Sequence, residues 1–342
     1  MVSIIICSKY QQLDKQLLLN IQNTIGTAYE VVHIDNSQHQ YSIFEAYNLG
    51  VSRAKGEYLC FMHEDVLFHS NNWGRIVEGC LVKSNVGAIG LAGSNVITKN
   101  VDWRFYYQWS YMYLIQGSNT IEEHAHYYHP FVPQKQKNVP LRQVATLDGV
   151  WICIRKDLFK QIRFDDTLFR DFHLYDTDIC MQINMIGKEI FMTYDVLLEH
   201  KSEGGFSESF KESLNVFSKK WDQQLPVVRG ADISLDAISQ MLPEAESRFE
   251  ERMKIDAIAA ELRRLLAQKA TGTAVRDFTE QEKAFMDANA YNYRKRCIKD
   301  RNLTSDRVKA LMDEYYSYPY ARNKGKLRYK YFWYRVIAPL FH

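Results

Sequence analysis

The sequence predicts an α/β fold: a mainly parallel sheet flanked by helices, followed by a C-terminal helical appendage. Three observations carry this. Four short β-branched or apolar runs, Val2–Ser8, Tyr29–Asp35, Tyr58–Met62 and residues 86–91, read as buried strands. Between them apolar residues recur at helical spacing. The alternation repeats four times, as in a parallel sheet with helices on both faces.

Leu13, Leu17, Ile21 and Ile25 line one face of the first helix. Residues 42–54 form the second, with Ser42 as cap and Glu45 three residues on, as in a capping box. Trp73, Ile76, Val77, Cys80 and Leu81 mark the third. Residues 92–140 are aromatic and irregular, which suits a functional loop or a partner surface. Regularity returns with strands at 144–146 and 150–155, a turn at Asp148-Gly149, and a helix over 176–186 stopped by Gly187. Strands at 191–194 and 196–198 precede a polar loop over 199–205. Residues 233–268 and 279–316 read as charged helices, so a boundary is placed near 224–232. The expected domains are 1–225 and 226–342.

The composition is ordinary for a globular chain of 342 residues, with 46% hydrophobic and 25% charged residues. A net charge of +2 excludes an obvious nucleic-acid binder. The charge is uneven, since residues 291–342 hold 13 Lys+Arg against 4 Asp+Glu. Six dispersed cysteines without a Cys-x-x-Cys pair fit free thiols in a reducing compartment. The start has no basic leader and no run of about 20 apolar residues occurs. The expected location is cytoplasmic.

The most informative segment is His63-Glu64-Asp65, which ends the strand Tyr58–Met62. Two adjacent carboxylates beside an imidazole need water, a cation or a metal, because an unpaired buried charge costs several kcal/mol. In an open α/β sheet this end is where ligands bind. A divalent cation is the expected occupant.

In order and spacing, residues 1–220 resemble a family 2 glycosyltransferase with the GT-A (Rossmann-like) nucleotide-sugar-binding fold. The resemblance rests on the first strand ending in Ser8, the second ending in Asp35, and Ala46-Tyr47-Asn48-Leu49-Gly50 before His63-Glu64-Asp65. It continues with Tyr175-Asp176-Thr177-Asp178-Ile179-Cys180 and ends at His200. By this resemblance Ser8, Asp35, Asn48, Glu64, Asp148 and Gly149 bind the nucleotide-sugar, Asp65 and His200 hold Mn²⁺ or Mg²⁺, and Asp176 is the catalytic base. The chain departs from the family pattern twice, with His63 for the first acid of Asp-x-Asp and Tyr175 for the Glu before the base.

The resemblance implies a metal-dependent, inverting transferase. It would move sugar from a nucleotide donor, expected to be a UDP-sugar, to a glycan or lipid-linked acceptor in bacterial surface polysaccharide assembly. Other readings stay open. Asp176 is equally a helix cap, Asp35 a turn former, Asp148-Gly149 a plain turn and His200 a loop histidine. Asp178, about 200° around the helix from Asp176, reads as structural. His124, His126 and His129 invite a metal, although Tyr127-Tyr128-His129-Pro130 suits an acceptor-side loop better. Rivals for the whole chain are a non-catalytic nucleotide-sugar or glycan binder and a sugar nucleotidyltransferase. The glycine-free Ser8-Lys9-Tyr10-Gln11-Gln12 argues against the second. Residues 322–335 hold six basic residues, no acid and five aromatics. They suit packing or peripheral contact with the inner membrane face; no nucleic-acid partner is expected.

Overall fold

The computed structural model of the chain describes residues 1–117, 119–122, 126–128, 133, 139–202, 204–300 and 303–338, with backbone alone at 119–120 and 126–128. The expected architecture is present: a large mixed sheet flanked by helices, with a helical C-terminal region. In chain order the first elements are β1 (Val2–Ser8), α1 (Lys15–Thr24), β2 (Tyr29–Asp35), α2 (Ile43–Arg53), β3 (Tyr58–Met62), β4 (Val66–Phe68), α3 (Trp73–Leu81) and β5 (Val86–Gly90). The helices that follow are α4 (Tyr175–Met185), α5 (Glu208–Lys220), α6 (Leu235–Ala270), α7 (Glu280–Lys299), α8 (Ser305–Ser317) and α9 (Lys324–Tyr331).

The main sheet has seven strands in the order Leu141–Val144, Glu189–Thr193, β5, Trp151–Arg155, β3, β1, β2. Five run one way, while Trp151–Arg155 and Leu141–Val144 run against them. The central strands are buried on both faces, which explains their near-continuous apolar sequence. Ile5, Leu59 and Phe61 pack with Tyr47 and Phe164 on one face. Ile4, Ile6, Cys60 and Met62 pack with Trp73 and Trp151 on the other. Alternation along one strand therefore feeds two cores. Helix α2 enters through the expected capping box: Ser42 accepts from the Glu45 amide and Glu45 accepts from the Ser42 amide.

Two compact units form, Met1–Gly117 with Pro130–Met253, and Ser118–His129 with Lys254–His342. The sequence changes character near 224–232, but Ala245 and Phe249 of α6 still belong to the first core. The second unit has its own core, including Leu262, Met286, Ala290, Met312, Tyr315 and Leu327. The helical stretch read over 279–316 is two helices, α7 and α8, and Thr304 caps α8 by accepting from the Arg307 amide at 3.3 Å. The strand expected over 196–198 is shifted, occupying Leu198–His200. Among the described residues no helix is long and apolar enough to cross a membrane.

Candidate functional site

Parallel pairing of β1 with β2 and β3 brings their carboxyl ends to one edge of the sheet, with Ser8 opposite Asp35. The strand Trp151–Arg155 runs the other way, so the turn before it arrives at the same edge. There the His63 amide donates to the Val150 carbonyl at 3.1 Å. A small sheet completes the edge, with His200 opposite Val66 of β4. That register sets His200 beside Asp65. The sequence reading, which left 199–205 as a loop, did not contain this pairing.

His63, Asp65 and His200 form a cluster whose ligand atoms all lie within 4.8 Å of one another. His63 Nδ1 is 3.2 Å from His200 Nε2, and Asp65 Oδ1 is 3.5 Å from the same nitrogen. The Ser202 amide donates to Asp65 Oδ2 at 3.1 Å. Burial opposes ionisation of Asp65, yet the His200 contact and the Ser202 bond hold its carboxyl well below the usual range. Desolvation, reinforced by His200, lowers the His63 imidazole to about 4. The neutral His63 imidazole and the ionised Asp65 carboxylate are in the forms that bind a cation. Among the described residues Glu64 Oε2 is buried without a hydrogen-bond partner, and Glu64 borders the same cavity. The two imidazoles of His63 and His200 with the anionic Asp65 are a donor set that a divalent cation fits.

Two cavities meet at this cluster. The first, about 840 Å³, is lined by Ser8, Lys9, Asn36, Glu64, Asp65 and Arg170 among others. The second, about 590 Å³, is lined by Arg104, Asp148, Gly149, Tyr175, Asp176 and Phe206 among others. They share His63, Phe172, His200 and Gly204.

Asp176 stands in the second cavity. It is not the cap of α4, because the cap position is Leu174, held at φ 64° with no side-chain cap bond. This left-handed residue, strained for a leucine, directs the chain so that Tyr175 and Asp176 open the helix at the cavity wall. Asp176 Oδ2 accepts from the Gly149 amide at 3.0 Å, and Oδ1 from the Thr177 amide at 2.7 Å. Burial, and repulsion from Asp148, raise its carboxyl to about 6 against the pull of Arg104. Arg104 grips Asp102 at 2.7 Å and reaches Asp148 at 3.6 Å.

The two departures from the family pattern touch each other. The Tyr175 hydroxyl lies 3.1 Å from His63 Nε2, leaving Nδ1 toward His200 and Asp65. Gly149 makes this possible, since a Cβ there would collide with the Tyr175 hydroxyl and ring. His63 and Tyr175, the two positions at which the chain departs from the resemblance, thus form one hydrogen-bonded pair.

The family model described as glycosyltransferase-like matches residues 3–211, more than half of the chain. The chain belongs to this glycosyltransferase-like family. With the family shown, the seven-stranded α/β sheet is the expected GT-A class of fold. No curated protein matches the chain in sequence. Among solved structures, GalNAc-T7 with UDP, GalNAc and Mn²⁺ is similar at 12% identity and a TM-score of 0.44. That match covers 65% of this chain and 49% of the other, so the chain spans about half of that relative. TarS 1–349 of S. aureus in complex with UDP-GlcNAc is similar at 14% identity and a TM-score of 0.40, over 96% of this chain and 88% of that one.

Of the residues that the family resemblance singled out, Ser8, Glu64, Asp65 and His200 line the first cavity, and Asp148, Gly149 and Asp176 the second, with His200 in both. Asp35 and Asn48 line neither. Asp35 accepts from the Ser37 amide at 2.9 Å as a turn former, while the neighbouring Asn36 faces the cavity. Asn48 is taken up by the backbone of Phe164 and the Asp166 carboxylate. Asp178 is structural, bound by Lys220, Trp221 and Gln182. His124 and His129 and the loop residue Pro130 lie outside the described residues, as do the side chains of His126, Tyr127 and Tyr128. Sequence reasoning missed Arg104, and it did not assign His63 as a ligand. The only signal for Arg104 was a lone cation in an aromatic segment. The signal for His63 was its place in the motif.

Proposed function

We propose that the chain is a metal-dependent, inverting glycosyltransferase. It moves a sugar from a nucleotide-sugar, a UDP-sugar in our reading, to a hydroxyl of a glycan or lipid-linked glycan. The observation that carries this is the pair of cavities joined at His63 and His200, with Asp65 and Glu64 on one side and Asp176 on the other.

The nucleotide diphosphate belongs in the larger cavity, where Lys9, Arg170 and Lys201 offer positive charge. His63, Asp65 and His200 hold the divalent ion, and Glu64 lies in reach of the ion or of a donor hydroxyl. Two imidazoles favour Mn²⁺ over Mg²⁺, which prefers oxygen ligands. When bound, the ion supplies Lewis-acid neutralisation of the diphosphate. The acceptor enters the second cavity and gives its hydroxyl proton to Asp176. Its oxygen then bonds to the anomeric carbon as the bond from that carbon to the diphosphate breaks, and the electron pair leaves with the nucleoside diphosphate. A base with a pKa near 6 is ionised at neutral pH yet basic enough to help. Asp148, held by Arg104 and the Val150 amide, is placed to orient the sugar. Bacterial surface polysaccharide assembly is the pathway this reading fits, on family resemblance alone.

Thermal-shift screening of UDP, GDP, CMP and their sugars, with and without Mn²⁺, tests the reading. Manganese-dependent stabilisation by a uridine nucleotide is expected. Absence of any nucleotide response would overturn it.

A further inference from the structure

The last described elements of the second unit carry an exposed apolar stripe, with nothing packed on it among the described residues. Helix α9 continues into a wider helical turn over Phe332–Ile337. Its inner side is fixed: Leu327 is fully buried, and the Arg335 guanidinium donates to the carbonyls of Cys297, Ile298, Asp300 and Leu303. The outer side presents Tyr329, Phe332, Trp333 and Val336, which are 68%, 53%, 49% and 43% exposed. Their spacing is i, i+3, i+4, i+7, the apolar stripe of an amphipathic helix. Here the stripe faces solvent instead of a core.

Beside the stripe stand Lys324, Lys326, Arg328 and Lys330, none with an ion pair among the described residues, and residues 322–335 contain no acid. Solvent-facing aromatics bordered by unpaired cations are the composition of an interfacial helix. In such a helix the rings enter the headgroup layer and the charges meet anionic lipid. A nucleic-acid strand fits less well, because the aliphatic Val336 offers no stacking face. We propose that this stripe docks the chain peripherally on an anionic phospholipid bilayer, with Phe332 and Trp333 as its deepest contacts.

Co-sedimentation of the full chain with phosphatidylcholine vesicles, and with vesicles containing about a third phosphatidylglycerol, tests this. Binding is expected to the anionic vesicles and not to the neutral ones, and to fall with added salt. A K326Q/R328Q/K330Q variant should bind on the order of 100-fold more weakly, from the usual contribution of each cation near such a surface. F332S/W333S should abolish binding. Both variants leave Leu327 and Arg335 in place, and unchanged circular dichroism and melting would show that they fold. Three outcomes would overturn the proposal: vesicle binding indifferent to both variants, no binding to any vesicle, or an exposed stripe that serves another occupant. The last would appear as concentration-dependent self-association in sedimentation velocity, or as RNA-oligonucleotide binding, lost in F332S/W333S while vesicles are ignored.

Discussion

Asp176 shows most directly how a local environment defines a chemical role. Its carboxylate keeps two amide donors, yet burial and Asp148 hold its pKa near 6, well above the roughly 4 of an unfolded Asp. Asp176→Asn should lower transfer by about 10²–10⁴-fold, the usual contribution of a general base, with UDP binding unchanged. The rate of the unmodified chain should rise with pH through about 6 as the base ionises. Stability moves the opposite way. Because the folded pKa is raised, the native state holds an extra proton between about pH 4 and 6, so the stability this provides is complete below about pH 4 and is lost by about pH 6. Melting of Asp176→Asn should therefore vary less than that of the parent between about pH 4 and 6. Tyr175 acts through a neighbour. Removing its hydroxyl in Tyr175→Phe frees His63 Nε2, and calorimetric Mn²⁺ affinity should fall about 10–100-fold. The acids of this site were legible because charge at a strand end is unusual in a sequence. The His63–Tyr175 pair was not, because 112 residues separate its members and only the packing of α4 against the sheet edge brings them together.

At the scale of elements, α4 is positioned by what holds its other side. Asp178 sits against α5 and the residue after it, accepting from Lys220 and from Trp221 Nε1 at 2.8 Å. Lys220 also reaches Asp165 at 2.8 Å. Asp178→Ala would strip the indole of its acceptor and leave Lys220 one carboxylate. A loss of about 3 kcal/mol in chemical denaturation is expected, in contrast to Asp176→Asn two residues away. The strands and helices of the main sheet were legible because both faces are buried and the apolar period is strong, as in Ile4-Ile5-Ile6. The short strands β4 and Leu198–His200 were not. They are three residues each, and their pairing is a long-range event that no local pattern announces. Asp35 and Asn48 are engaged by their surroundings, Asp35 accepting from the Ser37 amide in a turn and Asn48 donating to the Phe164 carbonyl and the Asp166 carboxylate.

At the scale of the whole molecule, a sheet edge assembled from distant segments places His63, Asp65 and His200 where two cavities meet, a cluster that could hold a cation. The acidic motif follows β3, His200 ends a strand paired to β4, and Asp176 lies in the first turn of α4. The design needs each of these elements to arrive at one edge, which the topology of the first unit provides. The units were less legible than the sheet, because α6 reads as one charged helix while Ala245 and Phe249 serve the first core and Leu262 the second. Diffraction at the manganese absorption edge, from crystals of the full chain grown with MnCl₂ and UDP, is the most direct measurement. The expected result is an anomalous peak bonded to His63, Asp65 and His200 and touching the diphosphate. UDP bound at full occupancy with no manganese peak among those three side chains would contradict it.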